Sequence, residues 1–310
     1  MKVYRNLDTL PPFLNAVITI GTFDGVHLGH QKIIQQVLAE SEASGGESVL
    51  ITFNPHPRKI VQPEKSLMQL TTMDERIELL KQQGINNMVI VPFTKEFSQQ
   101  TALQYIHHFL VEKFHPSKII IGYDHKFGNN REGDFRLLEQ HASEFNYSVK
   151  EIDEELIQDA IISSTKIREA LLQGNVKLAH SYLGYDYFFK GVVIEGNKLG
   201  RTIGYPTANL QMENPDKLVP GNGVYAVTCQ LEGETRMLNG MMNIGTRPTV
   251  DGLNLMIEVN IFDFDEEIYG RHLKVWLKHY LRSEVKFSGI DALKEQLNKD
   301  KEESVRLLTN

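Results

Sequence analysis

Two different hydrophobic periods divide the 310 residues. In the first part, short apolar runs alternate with stretches whose apolar residues recur every three or four positions. The runs at 17–20, 48–53, 88–91, 118–121 and 147–152 read as strands, and those at 31–43, 73–83, 102–114, 135–145 and 164–172 as helices. That alternation predicts a parallel sheet covered by helices on both faces. A short helix at 175–183 leads into Gly184-Tyr185-Asp186, where the period changes. Strand-like runs then recur at 187–194, 223–231, 236–244, 254–262 and 272–280, separated by turns such as Pro220-Gly221-Asn222-Gly223. Strands without intervening helices predict a small antiparallel barrel. Residues 291–299, with Ala292, Leu293 and Leu297 on one face, read as a closing helix, and the charge run at 298–303 as its solvated end. The expected fold class is α/β: a parallel-sheet domain at 1–184 and a β-barrel domain with a C-terminal helix at 185–310.

Ligands in open parallel sheets sit beyond the carboxyl ends of the strands, and the polar clusters of the first part fall there. After the first strand comes Gly21-Thr22-Phe23-Asp24-Gly25-Val26-His27-Leu28-Gly29-His30, which runs into a helix. Glycines let backbone N–H groups approach an anion, and the helix start adds its positive end. The spacing matches neither G-x-G-x-x-G nor a Walker loop, so His27 and His30 stand open as acids, bases or ligands. Asn54-Pro55-His56-Pro57-Arg58 follows the second strand and Gly122-Tyr123-Asp124-His125 the fourth. Ser163-Ser164-Thr165-Lys166-Ile167-Arg168 opens a helix, where hydroxyls and an Arg fork suit phosphate oxygens.

In the second part Gly200-Arg201-Thr202-Ile203-Gly204-Tyr205-Pro206-Thr207-Ala208-Asn209 is the informative cluster. Thr207 and Asn209, two apart on an extended segment, share a face, and two neutral oxygens beside a phosphate suit Mg²⁺. Gly196-Asn197-Lys198-Leu199-Gly200-Arg201-Thr202 is not a Walker loop: it is one residue short and has Arg in place of Lys.

Composition narrows the partners. With 41% apolar and 24% charged residues, each part can bury a core. A formal charge of −7 is not that of a general nucleic-acid binder. Met1-Lys2-Val3-Tyr4-Arg5-Asn6 carries no apolar run of signal length and no segment reaches spanning length, so a cytoplasmic protein without a membrane partner is expected. The lone Cys229 lies in an alternating run and reads as a buried strand residue. His107-His108 lies mid-helix and is assigned no role, and no His/Cys/carboxylate set recurs at zinc-ligand spacing.

The segment Gly21 to His30 resembles the H-x-G-H signature of the nucleotidyltransferase superfamily. Together with Phe53-Asn54-Pro55-His56-Pro57, Gly122-Tyr123-Asp124 and Ser163-Ser164-Thr165-Lys166-Ile167-Arg168, it resembles the adenylyltransferase half of bacterial bifunctional riboflavin kinase/FAD synthetases. Pro206-Thr207-Ala208-Asn209, Asn243-Ile244-Gly245-Thr246-Arg247-Pro248-Thr249, Glu258-Val259-Asn260-Ile261-Phe262-Asp263 and Leu281-Arg282-Ser283-Glu284-Val285-Lys286-Phe287 resemble the kinase half. The resemblance implies a Rossmann-like nucleotidyltransferase domain followed by a kinase barrel. It implies phosphorylation of riboflavin to FMN with ATP, then adenylylation of FMN with a second ATP to FAD and pyrophosphate. Gly21, Phe23, Asp24, His27 and His30 would bind ATP, with Ser164, Thr165 and Arg168 on its leaving end. Asn54 and Asp124 would orient the flavin phosphate or the nucleotide. Gly200, Arg201, Thr207 and Asn209 would hold Mg-ATP, Glu258 would be the general base of the kinase, and Arg282 and Glu284 would lie near the flavin. Two places depart from the family pattern. Asn197 to Arg201 lacks the usual pair of Gly-Arg steps, which bears on the phosphate lid, and His125 stands where Phe is common, which bears on flavin stacking.

Overall fold

A computed structural model describes residues 1–65, 67–152, 162–196, 199–249 and 252–309, apart from the side chains of 199, 247–249 and 252–254. Packing divides the chain into two units, Met1–Ser163 and Ser164–Asn310.

The first unit is built on β1 (Lys2–Tyr4), β2 (Val17–Ile20), β3 (Ser48–Asn54), β4 (Asn87–Pro92), β5 (Lys118–Gly122) and β6 (Ser148–Ile152). All pair in parallel, in the order β1-β4-β3-β2-β5-β6. The successive residues Val49, Leu50 and Ile51 have no exposed surface, as a sheet covered on both faces requires. Connecting helices include α1 (Leu28–Ala43), α2 (Pro57–Val61), α3 (Met73–Gln82) and α4 (Lys95–Ser98). The next, α5, is α-helical over Ala102–Gln104, a π-helix over Tyr105–Val111 and α-helical again over Glu112–Phe114. Its Tyr105, Phe109 and Phe114 enter a core with Phe13, Phe53 and Phe127. After β5 comes α6 (Phe135–His141). The chain winds outward from β2 to β3 and β4, then returns to place β5 on the other side of β2. The strand order therefore reverses between β2 and β5, and a crevice is expected beyond their carboxyl ends. Strand β1 was not legible in the sequence: three residues with little burial carry no period.

The second unit opens with α7 (Ser164–Leu172) and α8 (Val176–Leu183). A closed barrel follows, formed by β7 (Phe188–Ile194), β8 (Ala208–Gln211), β9 (Gly223–Leu231), β10 (Leu238–Thr249), β11 (Gly252–Ile261) and β12 (His272–Arg282), in the order β10-β11-β8-β7-β12-β9. The turn α9 (Leu199–Thr202) lies between β7 and β8, and α10 (Ile290–Leu308) closes the chain. The division at Ser163/Ser164 differs from the boundary expected at 184/185, because both helices are tied to the barrel. The Gly221 N–H donates to the Leu171 carbonyl at 3.0 Å, and the Tyr187 N–H donates to His180 Nε2 at 3.0 Å. The charge run at 298–303 is solvated at Asn298, Lys299 and Glu302 but is not the end of the helix. Helix α10 continues through it, burying Asp300 to 4% exposure and Ser304 completely.

Candidate active sites

In the first unit, His27 caps α1. Its Nδ1 accepts the His30 N–H at 3.3 Å, so a neutral His27 ring carries its proton on Nε2 and is a donor there. The His30 ring stacks on it, with centroids 3.6 Å apart and planes 15° from parallel. Burial, His27 and Arg76 together hold the His30 pKa well below that of a free histidine, so this ring is neutral. Its Nδ1 is buried without a hydrogen-bond partner among the described residues. A buried orphan nitrogen is costly unless something else meets it.

The loop that delivers this pair is bent. Phe23, Gly25 and Val26 have φ values of +48°, +84° and +39°. The buried carboxylate of Asp24 holds that shape, accepting from Leu70 N (3.1 Å), Thr71 N (3.0 Å) and Thr71 Oγ1 (3.2 Å) beside Arg76 at 3.6 Å. Asp24 therefore cannot be read as a phosphate contact: it is 1% exposed and its charge is met by a buried guanidinium. Phe23 is corrected in the same way. It is 2% exposed with its ring 5.0 Å from that of His30, so it shapes the loop from within. Gly21 directly follows β2, where an added Cβ would stand 3.1 Å from the Phe23 ring.

Neighbouring strand ends supply the other residues of the first unit. Asn54 ends β3, exposed, and its carbonyl accepts Phe93 N–H. His56 is 8% exposed and caps α2 by accepting Arg58 N–H on Nδ1 at 3.1 Å. Asp124 is exposed in the turn after β5, across the reversal point from the His27 loop. His125 is half-buried, and burial with the nearby Arg131 lowers its pKa to about 4. Ser164, Thr165 and Arg168 open α7, which packs with the second unit.

In the second unit the register of three strands builds a polar row. Glu258 on β11 lies opposite Asn209 on β8 and opposite Asn243 on β10. Directly paired side chains share a face about 5 Å apart. Two residues on, the Asn260 Nδ2 donates to the Pro206 carbonyl at 2.7 Å and so pins the turn carrying Thr207. Asn243 and Asn260 had no role assigned from sequence; strand register was the missing information.

Asn209 is 7% exposed, and its Oδ1 is buried without a hydrogen-bond partner among the described residues. It borders a cavity of about 20 Å³ lined by Gly196, Arg201, Pro206, Thr207, Asn209 and Tyr269. Three of the expected Mg-ATP residues are thereby brought together. Gly200 lies against the Tyr205 carbonyl, where an added Cβ would approach to 2.2 Å. Beyond Pro206 opens a second cavity of about 470 Å³, walled by Tyr205, Phe262, Asp263 and Lys301 among others. That is the size of an ordinary small-molecule site. Asn197 and Lys198 of the departing loop lie outside the described residues.

Gly196 lies directly against the Asn209 side chain. A Cβ there would fall 2.2 Å from Asn209 Nδ2. Gly196→Ala is expected to push Asn209 aside and slow riboflavin phosphorylation by about 10²-fold, the scale of a 1 Å misplacement. Steady-state rates with riboflavin, set against FAD formation from supplied FMN, check this, since only the first should fall.

Arg282 is corrected. Its Nε donates to both Asp300 oxygens at 2.9 and 3.1 Å, and its Nη2 to Oδ2 at 2.6 Å. Gln296 completes the cluster at 2.9 Å. This fork ties β12 to α10 and leaves the guanidinium engaged within the protein rather than offered to a flavin. Glu284 folds over Gly245 and accepts the Asn243 amide at 3.4 Å, so it extends the polar row.

Comparison with known proteins also divides the chain into two parts. The FAD synthetase family model matches residues 12–166, and the riboflavin kinase model residues 183–308. Curated relatives described as bifunctional riboflavin kinase/FMN adenylyltransferase include one from Haemophilus influenzae, 37% identical over 97% of each chain. Another, from Escherichia coli, is 36% identical over 97% of this chain and 96% of its own. That of Listeria monocytogenes is 38% identical over 94% and 92%. A solved structure from Streptococcus pneumoniae superposes with a TM-score of 0.88 at 31% identity, covering 97% of this chain and 98% of its own. It is described as a macrolide-efflux protein. Among the described residues of the present chain, no helix is long and apolar enough to cross a membrane. Two family models in tandem and relatives aligned end to end place the chain in the bacterial bifunctional riboflavin kinase/FMN adenylyltransferase family.

Proposed function

We propose that the barrel unit transfers the γ-phosphoryl of ATP to riboflavin with Glu258 as base. The first unit then joins the resulting FMN to AMP from a second ATP through His27 and His30. Riboflavin kinase and FMN adenylyltransferase are the activities of the family to which the chain belongs. The observation that carries the assignment of roles is the contrast between the two polar constellations. One presents imidazoles in a bent loop at a helix start. The other centres on a carboxylate between two amides.

The two reactions need different things from protons. The riboflavin 5′-hydroxyl must lose a proton as the γ-phosphoryl arrives, and a carboxylate beside the phosphate site can take it. The FMN phosphate is already an anion and needs no base. There the protein has to orient two anions, stabilise charge on the α-phosphate and help pyrophosphate leave. A neutral His30 and a His27 protonated at Nε2 do this as donors. Ser164, Thr165 and Arg168, at the start of a nine-residue helix, suit the leaving pyrophosphate. Asn54 and Asp124 suit the flavin phosphate or the nucleotide.

Mg²⁺ fits the residues present. Asn209 Oδ1 is a buried oxygen without a hydrogen-bond partner among the described residues, and with Thr207 it borders a cavity of ion size. Bound there, Mg²⁺ would neutralise phosphate oxygens while keeping most of its waters.

Incubation with riboflavin, ATP and Mg²⁺, followed by chromatography of the flavins, tests the whole reading. FMN should appear first and FAD after it; riboflavin left unchanged would overturn the proposal.

A further inference from the structure

The π-helical stretch of α5 changes what its histidines can do. In the sequence His107-His108 is an adjacent pair with no ligand spacing. In the structure the Glu112 N–H bonds to the His107 carbonyl, an i→i+5 bond that brings Glu112 beneath His107 as well as His108. Such one-turn π segments are uncommon and concentrate at functional sites. Three ligand-type atoms converge as a result. His107 Nδ1 and His108 Nδ1 are 3.1 Å apart, and Glu112 Oε1 lies 3.3 Å from the first and 3.1 Å from the second. Among the described residues, this is the one His/Cys/Asp/Glu trio whose donor atoms cluster in this way.

We propose that His107, His108 and Glu112 form a binding site for a divalent transition metal of the zinc class, separate from both catalytic constellations. The triangle has the right size. Zn–N and Zn–O bonds of about 2.0–2.2 Å set neighbouring donors about 3.0 Å apart at right angles and about 3.4 Å apart at the tetrahedral angle. All three edges fall between those limits. The donor set has the right chemistry, since two imidazoles and a carboxylate suit Zn²⁺, Co²⁺, Ni²⁺ and Cu²⁺ better than Mg²⁺. The site is accessible, because the three side chains are 45%, 59% and 49% exposed. Packing holds one ligand in place: the His107 ring lies 5.2 Å from that of Phe145. Three protein ligands leave a further position for water, as in open zinc sites.

The test uses the full chain without a histidine tag, stripped of metal. Zn²⁺ alone is titrated against a coloured chelator, and Co²⁺ alone is followed by its visible ligand-field bands. The wild type should bind one Zn²⁺ more than His108→Ala, and the Co²⁺ bands should vanish in that variant. Glu112→Gln should weaken the site at least tenfold. His141→Ala, one helix away, should leave it intact. His108 and Glu112 are exposed enough for their variants to fold; circular dichroism checks this for them and for the partly buried His141→Ala, and both flavin reactions should keep their rates. Equal Zn²⁺ stoichiometry and equal Co²⁺ spectra in wild type and His108→Ala would show only a hydrogen-bonded His-His-Glu chain and would overturn the proposal.

Discussion

Glu258→Ala is expected to lower FMN formation from riboflavin by about 10²–10⁴-fold, the usual contribution of a positioned general base. FAD formation from supplied FMN should stay within twofold of wild type. The size follows from the chemistry of the nucleophile: an unassisted hydroxyl holds its proton at neutral pH, and no histidine of the described barrel lies in this polar row. The selectivity follows from the fold, because Glu258 sits on a barrel strand between Asn209 and Asn243, in a different unit from the His27 loop. Glu258→Gln sharpens the test. It keeps the shape and the cross-strand pairing and removes only the basic lone pairs, so its rate should fall nearly as far as that of the Ala variant. A merely structural Glu258 would instead let Gln restore the rate. Separate assays with riboflavin and with FMN, each with ATP and Mg²⁺, read both numbers from one preparation.

Much of this arrangement was legible in the sequence, and the failures have identifiable causes. Fully buried strands such as Val49 to Ile51 announce themselves as apolar runs, so the parallel sheet could be read without coordinates. The barrel was equally plain from its regular strands and turns. Strand β8 was legible only as a short extended segment, because four residues are too few to carry a period; its pairing with β7 and β11 makes it a barrel strand. Side chains that meet across strands were the blind spot at the sites. Nothing along the chain says that Asn243 faces Glu258, or that Arg282 has its partner in Asp300 18 positions on. Asp24 misled in the opposite way. A carboxylate inside a phosphate-binding signature invites an ATP-binding role, yet its bonds to Leu70 and Thr71 show that it holds the loop for its neighbours. The π turn at Tyr105–Val111 is the hardest case, since one extra residue in a helical turn leaves no compositional trace.

The second large effect belongs to that loop. His30→Ala is expected to slow FAD formation from FMN by about 10²–10³-fold, the cost of losing one donor aimed at developing charge. Riboflavin phosphorylation should be unchanged. His27 needs a finer variant, because its ring has two jobs. Its Nδ1 caps α1, and loss of a cap costs about 1 kcal/mol of stability. Serine is among the preferred capping residues, so His27→Ser keeps the helix start while removing the Nε2–H donor. If His27 acts on the α-phosphate, the serine variant should melt within a few degrees of wild type yet lose FAD formation as severely as His30→Ala. If His27 only caps, serine should restore the rate. The double variant adds a further criterion. Stacked rings 3.6 Å apart that serve one transition state act as a unit, so removing both should cost much less than the product of the single losses. Full multiplicativity would mean that the two histidines serve separate steps, and the shared role assigned to them would have to be withdrawn.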